Sequence, residues 1–147
     1  MSDPINYQAS HVGLCVSDLN AALRFWCDGL GFEKAETFEV GAEFGASLEV
    51  EGDVQVLSQF IRKGAMAIEL LHYHSPGVFG APSVRRNQLG LTHTSFIVDD
   101  LAAATAHLID CGGTLVEGTQ GGDPATIELL FLADPDGNRV ELLKYPS

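Results

Sequence analysis

The fold is decided by a stretch that occurs twice, SHVGLCVSDLNAA at residues 10–22 and THTSFIVDDLAAA at residues 92–104. A second pair of segments follows, AIELLHY at 67–73 and RVELLKY at 139–145. Each copy therefore opens with a histidine and closes with a glutamate. The histidines are 82 positions apart and the glutamates 72, so the first copy holds ten extra residues, which fit between residues 40 and 52. Two copies are too few for a solenoid, which needs about three, and they predict a pseudo-two-fold pair of modules.

Each copy is predicted to fold as βαβββ. The opening strands, residues 8–16 and 90–98, are apolar and rich in β-branched residues. Ser17-Asp18 and Asp99-Asp100 offer N-caps before apolar residues at helical spacing, and two glycines end each helix, at 29 and 31 and at 112 and 113. The last two strands of each copy form a hairpin, and in the second copy the turn DPDGN at 134–138 is a strong turn sequence. We therefore predict an α+β fold.

The length and boundaries indicate one domain. A chain of 147 residues is the size of a single domain. We place this domain at residues 5–147, with a first module at 8–75 and a second at 90–146. Residues 75–90, rich in glycine and proline, form the linker between them.

Composition narrows the partners and the compartment. Twenty acidic against eight basic residues give a net charge of −12, which repels phosphate backbones and argues against nucleic-acid binding. No apolar run approaches the roughly 18 residues of a membrane span, and the N-terminal residues do not resemble a signal peptide. Three cysteines without a CxxC pair favour a reducing compartment, and each is expected to be a small buried hydrophobe. We expect a cytoplasmic, soluble protein with a small-molecule substrate.

The repeated histidines and glutamates indicate a metal site. Strand alternation places Glu69 on one face with Leu71 and Tyr73, while His72 and His74 point the other way. A lone His or Glu would ordinarily be solvated, but packing does not explain a charged Glu at matching places in both copies. Two imidazoles and two carboxylates suit Ni, Co, Mn, Fe or Zn better than calcium or a structural thiolate zinc. Such an ion keeps open positions and stabilises an enolate.

These features resemble the vicinal oxygen chelate superfamily, which includes glyoxalase I, methylmalonyl-CoA epimerase, extradiol dioxygenases and bleomycin-resistance proteins. The resemblance runs from Ala9 to Tyr145 and includes DPDGNRVE at 134–141. It implies two tandem βαβββ modules in a cup-shaped mixed sheet around a central metal site, and a homodimer. It also implies four metal ligands: His11, Glu69, His93 and Glu141. Relatives build the cup from modules of one chain or of two, and the sequence leaves both arrangements open.

The four-ligand set is most similar to the glyoxalase I and methylmalonyl-CoA epimerase branches. That likeness implies a lyase or isomerase that shifts a proton next to a carbonyl, with Glu141 as the first candidate for the catalytic base and Glu69 as the second. Glutathione is not the expected cosubstrate, because Cys15 stands where glyoxalase I relatives commonly carry an arginine. Arg62, Lys63, Arg85 and Arg86 could meet a substrate phosphate or carboxylate, although their ordinary role would be as solvated charges.

Two alternative functions remain open. An extradiol-type dioxygenase with ferrous iron would use two histidines and one carboxylate, so Glu69 as a fourth ligand counts against it. A metal-independent protein that sequesters a cationic drug, similar to bleomycin-resistance proteins, is favoured by the acidic charge and disfavoured by the intact His/Glu set.

Overall fold

The computed structural model describes residue 1 and residues 3–147, and it contains the two predicted modules. The first comprises β1 (Val12–Cys15), α1 (Leu19–Leu23), a π-helical segment (Arg24–Gly29), β2 (Glu33–Val40), β3 (Gln55–Lys63) and β4 (Met66–Ser75). The second comprises β5 (Thr94–Ile97), α2 (Leu101–Asp110), β6 (Thr114–Leu115), β7 (Gly121–Asp123), β8 (Ile127–Ala133) and β9 (Arg139–Lys144). The α+β class is confirmed, and the second module adds the short strand β7. Over the described residues, none of the helices has the length and apolar character needed to span a membrane.

The helix starts follow the sequence closely. The carboxylate of Asp18 accepts a hydrogen bond from the backbone N–H of Ala21 at 3.0 Å, and Asp100 accepts one from Ala103 at 2.9 Å. Both predicted cap positions are therefore confirmed, and in each dipeptide the capping residue is the second one. The first helix differs from expectation, because after one α-helical turn it widens into the π-helical segment. Phe25 and Trp26 lie side by side there, and both are completely buried.

The strands form two mixed sheets with matching register. The first has the order β1-β4-β3-β2 and the second β5-β9-β8-β6, with β7 added on β8. β1 is parallel to β4 and β5 is parallel to β9, while the other pairs are antiparallel. Both opening strands are shorter than predicted, because their pairing begins at Val12 and Thr94, one residue after each histidine. Each histidine therefore lies immediately before the first residue of its strand.

One face of each sheet packs into a shared core. Alternate residues of β4 and β9, such as Leu70 and Leu142, join Trp26 in one buried cluster that spans both modules. The two helical regions also touch, since a Cβ on Gly113 would lie 2.7 Å from the ring of Phe25. Because strand residues alternate between faces, the intervening residues, including Glu69 and Glu141, belong to the faces turned away from this core.

The β8–β9 turn joins the second module to the first. Asp134 is buried, and its carboxylate accepts hydrogen bonds from the backbone N–H groups of Asp136 and Asn138 at 3.0 and 2.8 Å. It also accepts one from the Asn138 side chain at 3.0 Å and one from the Trp26 indole at 3.2 Å. Asp136 in turn accepts the backbone N–H of Ser17 at 3.0 Å. The predicted turn is confirmed, and it also connects the modules.

We expect Asp134→Ala to lower the free energy of unfolding by about 3 kcal/mol, because it leaves several buried donors without an acceptor. Urea denaturation followed by circular dichroism measures this change. Asp123→Ala is the matched control, since Asp123 makes a similar turn contact to Ala125 at an exposed site and should cost less than about 1 kcal/mol. Equal losses in the two variants would contradict the role assigned to Asp134.

Thr94 offers a stability test of opposite sign. Its hydroxyl is the one buried side-chain polar atom without a hydrogen-bond partner among the described residues. We expect Thr94→Val to raise the free energy of unfolding by about 1 kcal/mol, because an isosteric methyl group removes the unpaired hydroxyl. Thr37→Val, which deletes a hydroxyl that donates to Gln59 at 2.7 Å, should destabilise. A destabilised Thr94→Val variant would overturn the expectation.

Candidate metal centre

The first module brings His11 and Glu69 together. His11 lies just before β1 and Glu69 lies in the neighbouring strand β4, and His11 Nε2 is 3.0 Å from Glu69 Oε2. The imidazole meets the ring of Phe60 edge-on, with ring centres 4.8 Å apart. Phe60 is directly opposite Glu69 in the β3–β4 register. The first pair therefore sits against an aromatic wall.

The second module repeats this arrangement. His93 Nε2 is 3.8 Å from Glu141 Oε1, and the His93 ring meets Phe131 edge-on at 5.2 Å between centres. Phe131 is opposite Glu141 in the β8–β9 register, as Phe60 is opposite Glu69. Sequence reasoning did not include the two phenylalanines. Pairing the hairpin strands residue by residue from their turns would have placed each of them across from its glutamate.

In both histidines, the ring nitrogen Nδ1 lies within hydrogen-bond distance of the hydroxyl group of the preceding residue. Ser10 Oγ lies 2.7 Å from His11 Nδ1, and Thr92 Oγ1 lies 2.8 Å from His93 Nδ1. With Nδ1 engaged by a hydroxyl, Nε2 is the nitrogen presented to the glutamate and to any ion. A hydroxyl residue precedes the histidine in both copies of the repeat, and this signal was available in the sequence.

Each glutamate also accepts a hydrogen bond from a serine hydroxyl, but the two serines lie on strands that do not correspond. Ser58 of β3 donates to Glu69 at 2.6 Å, and Ser95 of β5 donates to Glu141 at 2.8 Å. The first-module residue that corresponds to Ser95 is Gly13, which is opposite Glu69 and has no hydroxyl. The second-module residue that corresponds to Ser58 is Leu129, which has none either. Both modules therefore have a serine–glutamate hydrogen bond, but the serine lies on a different strand in each. No repetition in the sequence marks this exchange.

Within one chain the two pairs remain separate. No group of three or more His, Cys, Asp and Glu side chains is placed to hold a metal ion in the part of the chain that is described. Each pair lies on its own sheet, and the opposite face of each sheet is used by the shared core. The structure thus assembles His11 with Glu69 and His93 with Glu141, and the meeting of all four stays a prediction.

The other histidines make contacts unrelated to these pairs. His72 Nδ1 lies 3.0 Å from the carbonyl oxygen of Val16, and its ring stacks edge-on with that of His74. His107 Nε2 lies 2.9 Å from the carbonyl oxygen of Asp28. Tyr73 is on the same strand face as Glu69, and burial raises the pKa of its phenol, with a further increase from the neighbouring Cys15 and Glu69.

A cleft of about 710 Å³ opens beside His93. Its walls come from β1, the linker between the modules and the β8–β9 turn, and they include Arg86, Arg139 and Phe79. Cys15 also lines the cleft and is exposed. The expectation of a buried Cys15 is therefore wrong, because β1 is an edge strand and Cys15 lies on the face turned away from the core. Cys111 is buried as expected, and Cys27 is half-buried.

Known proteins share this fold, and some share about a quarter to a third of the sequence at aligned positions. The model of the glyoxalase/bleomycin resistance protein/dioxygenase superfamily matches residues 8–142. The protein YaeR of Escherichia coli K12 is 31% identical over 92% of this chain and 94% of its own length. A catechol-2,3-dioxygenase of Bacillus subtilis is 27% identical, over 92% of this chain but only 42% of its own. A crystal structure of a glyoxalase family protein from Bacillus cereus superposes with a TM-score of 0.84 at 19% identity, covering 100% of this chain and 99% of that one. The chain belongs to the glyoxalase/bleomycin resistance protein/dioxygenase superfamily.

Proposed function

We propose that this protein is a metal-dependent lyase or isomerase that moves a proton on the carbon next to a carbonyl of a small substrate. The observation that carries the proposal is the repeated His–Glu pair, supported in both modules by a hydroxyl on Nδ1 and a serine on the carboxylate. Such outer contacts orient ligands and tune their basicity. A solvated surface pair would not require them twice.

The donor set fits a divalent ion of the Ni, Co, Mn, Fe or Zn type. His11, Glu69, His93 and Glu141 would hold it, offering two imidazole nitrogens and carboxylate oxygens. When bound, such an ion supplies a Lewis acid that polarises a carbonyl and stabilises negative charge on its oxygen. Each chain supplies two donors at each of two places, so we propose that a complete site needs a second copy.

Open strand edges support a homodimer. β1 and β5 each pair with a single neighbour within the chain. Ile97, on β5, is 69% exposed, and Val12, on β1, is 44% exposed. An unpaired edge with exposed apolar side chains is a surface for pairing with another chain. Both edges lie next to a His–Glu pair, so a dimer formed there would bring the first pair of one copy near the second pair of another.

The two glutamates are held differently, and this difference favours Glu141 as the base. Glu69 contacts both Ser58 at 2.6 Å and His11 at 3.0 Å. The contacts of Glu141 are longer, 2.8 Å to Ser95 and 3.8 Å to His93. A more loosely held carboxylate is freer to reach a substrate proton.

The dioxygenase alternative has one observation in its favour, the similarity to a catechol-2,3-dioxygenase. It predicts oxygen uptake by the iron-loaded protein with a catechol. The second glutamate argues against it, because Glu69 and Glu141 each have a histidine, a serine and a phenylalanine beside them, and we propose both as ligands. No oxygen uptake with catechol is therefore expected.

Metal binding across two copies can be tested by mixing inactive variants. We expect neither His11→Ala/Glu69→Gln nor His93→Ala/Glu141→Gln to bind a divalent ion tightly by calorimetry. Co-refolding equal amounts should restore about one quarter of the wild-type sites, because half of the dimers are mixed and each mixed dimer holds one intact site. A Glu128→Gln/His107→Ala variant, altered outside the pairs, should bind like wild type.

The mixing result separates the possible arrangements. Recovery of tight binding in the mixture requires that the two pairs come from different chains. No recovery, together with a wild-type protein that binds one ion per chain as a monomer, would overturn the shared site. A wild-type protein that takes up none of the five ions would overturn metal dependence itself.

Proton transfer is tested by exchange in deuterium oxide. With hydroxyacetone and the hemithioacetal of methylglyoxal as probes, the metal-loaded protein should speed deuterium incorporation next to the carbonyl of at least one of them, measured by NMR. Glu141→Gln should reduce the rate by about 100-fold or more, as expected for loss of a general base. Glu128→Gln, on the neighbouring strand β8, should leave the rate unchanged. An unaffected Glu141→Gln rate would contradict the assigned base.

A further inference from the structure

We infer that the cleft beside His93 binds an oxyanion of the substrate, a carboxylate or phosphoryl group, through Arg86 and Arg139. Both side chains line the cleft, and both are half-buried. That the anion is part of the substrate rests on the proposed function. That the cleft binds an anion is independent of the proposed function, and it can be tested without a metal.

The charges in the cleft are unusual for this chain. The protein has eight lysines and arginines against twenty acidic residues, yet two of those eight line this one cleft. Among the described residues neither Arg86 nor Arg139 has a carboxylate within ion-pair distance, whereas Arg62 pairs with Glu36 at 2.5 Å. Asp136 also lines the cleft, and hydrogen bonds from Ser17 to both of its oxygens fix its position without removing its charge.

Both guanidinium groups are held in place without being neutralised. Arg86 donates to the carbonyl oxygens of Ser83 and Thr92, and Arg139 donates to the carbonyl oxygen of Gly137 at 3.1 Å. These acceptors fix position but carry no net charge. Because both cations line one cleft they repel each other, and burial together with the charge of Arg139 lowers the pKa of Arg86. A bound oxyanion would relieve that repulsion and occupy the remaining donors.

The position of the cleft relates the anion to the proposed chemistry. Arg86 is bonded to Thr92, the residue before His93. Arg139 lies two residues before Glu141 on β9, on the same face and therefore about 7 Å away along the strand. Phe79 and Leu91 supply apolar surface to the same cleft. This spacing fits a small substrate with its anionic end a few bonds from the carbonyl.

Titration of metal-free protein with inorganic phosphate and, separately, malonate tests the site, with binding followed by calorimetry and amide NMR shifts. Wild type should bind at least one of them saturably, and the stronger of the two identifies the anion class. Arg139→Gln and Arg86→Gln should each weaken binding about tenfold or more, since each removes a charge-assisted contact. Arg85→Gln is the matched control, because Arg85 is exposed and does not line the cleft.

Two outcomes would overturn the site: no saturable binding of either anion to wild type, or equal weakening by all three substitutions. Arg86 also holds the linker, so if Arg86→Gln disturbs the amide spectrum widely, Arg139→Gln decides, with Arg139→Lys expected to retain part of the affinity. Divalent-ion affinity is measured on the same variants and should not change. Lost anion binding with intact metal binding therefore reports on this cleft and not on the metal centre.

Discussion

The structure depends on the buried carboxylate of Asp134. Burying a charge is costly unless its hydrogen-bonding capacity is satisfied, and here four donors surround it. Three of these belong to the turn between β8 and β9, and the fourth is the indole of Trp26 in the first module. One side chain thus sets the shape of the turn that leads into Glu141 and attaches that turn to the other half of the molecule.

Because the two modules share one core, only one face of each sheet is turned away from it. Once Trp26, Leu70 and Leu142 share a core, strand alternation leaves the glutamates on the opposite faces. Each chain therefore carries its two His–Glu pairs on separate sheets. The proposed four-ligand site would then be a property of an assembly, and metal binding would be coupled to association of the chains.

The sequence predicted the parts of the fold that rest on local patterns. The modules, the N-caps within Ser17-Asp18 and Asp99-Asp100 and the turn at 134–138 follow from repetition, capping and turn chemistry. The strand faces of Glu69 and Glu141 follow from a period of two. The exposure of Cys15 was mispredicted, because whether β1 is an edge strand depends on sheet order. The joining of the modules by Asp134, and the half-burial of Arg86 and Arg139 beside one cleft, depend on contacts between distant segments that periodicity does not contain.

The differences between the copies are more informative about chemistry than their likeness. Ser58 and Ser95 deliver the same hydroxyl contact from opposite sides of their glutamates, so the contact was retained while its source changed. The surroundings of the two glutamates differ between the modules. The first module holds Glu69 tightly between Ser58 and His11. The second holds Glu141 loosely and has Arg139 on the same strand face. In the proposed function, the first half would chiefly hold the ion, and the second half, with a less tightly held carboxylate and Arg139 nearby, would also act on an anionic substrate.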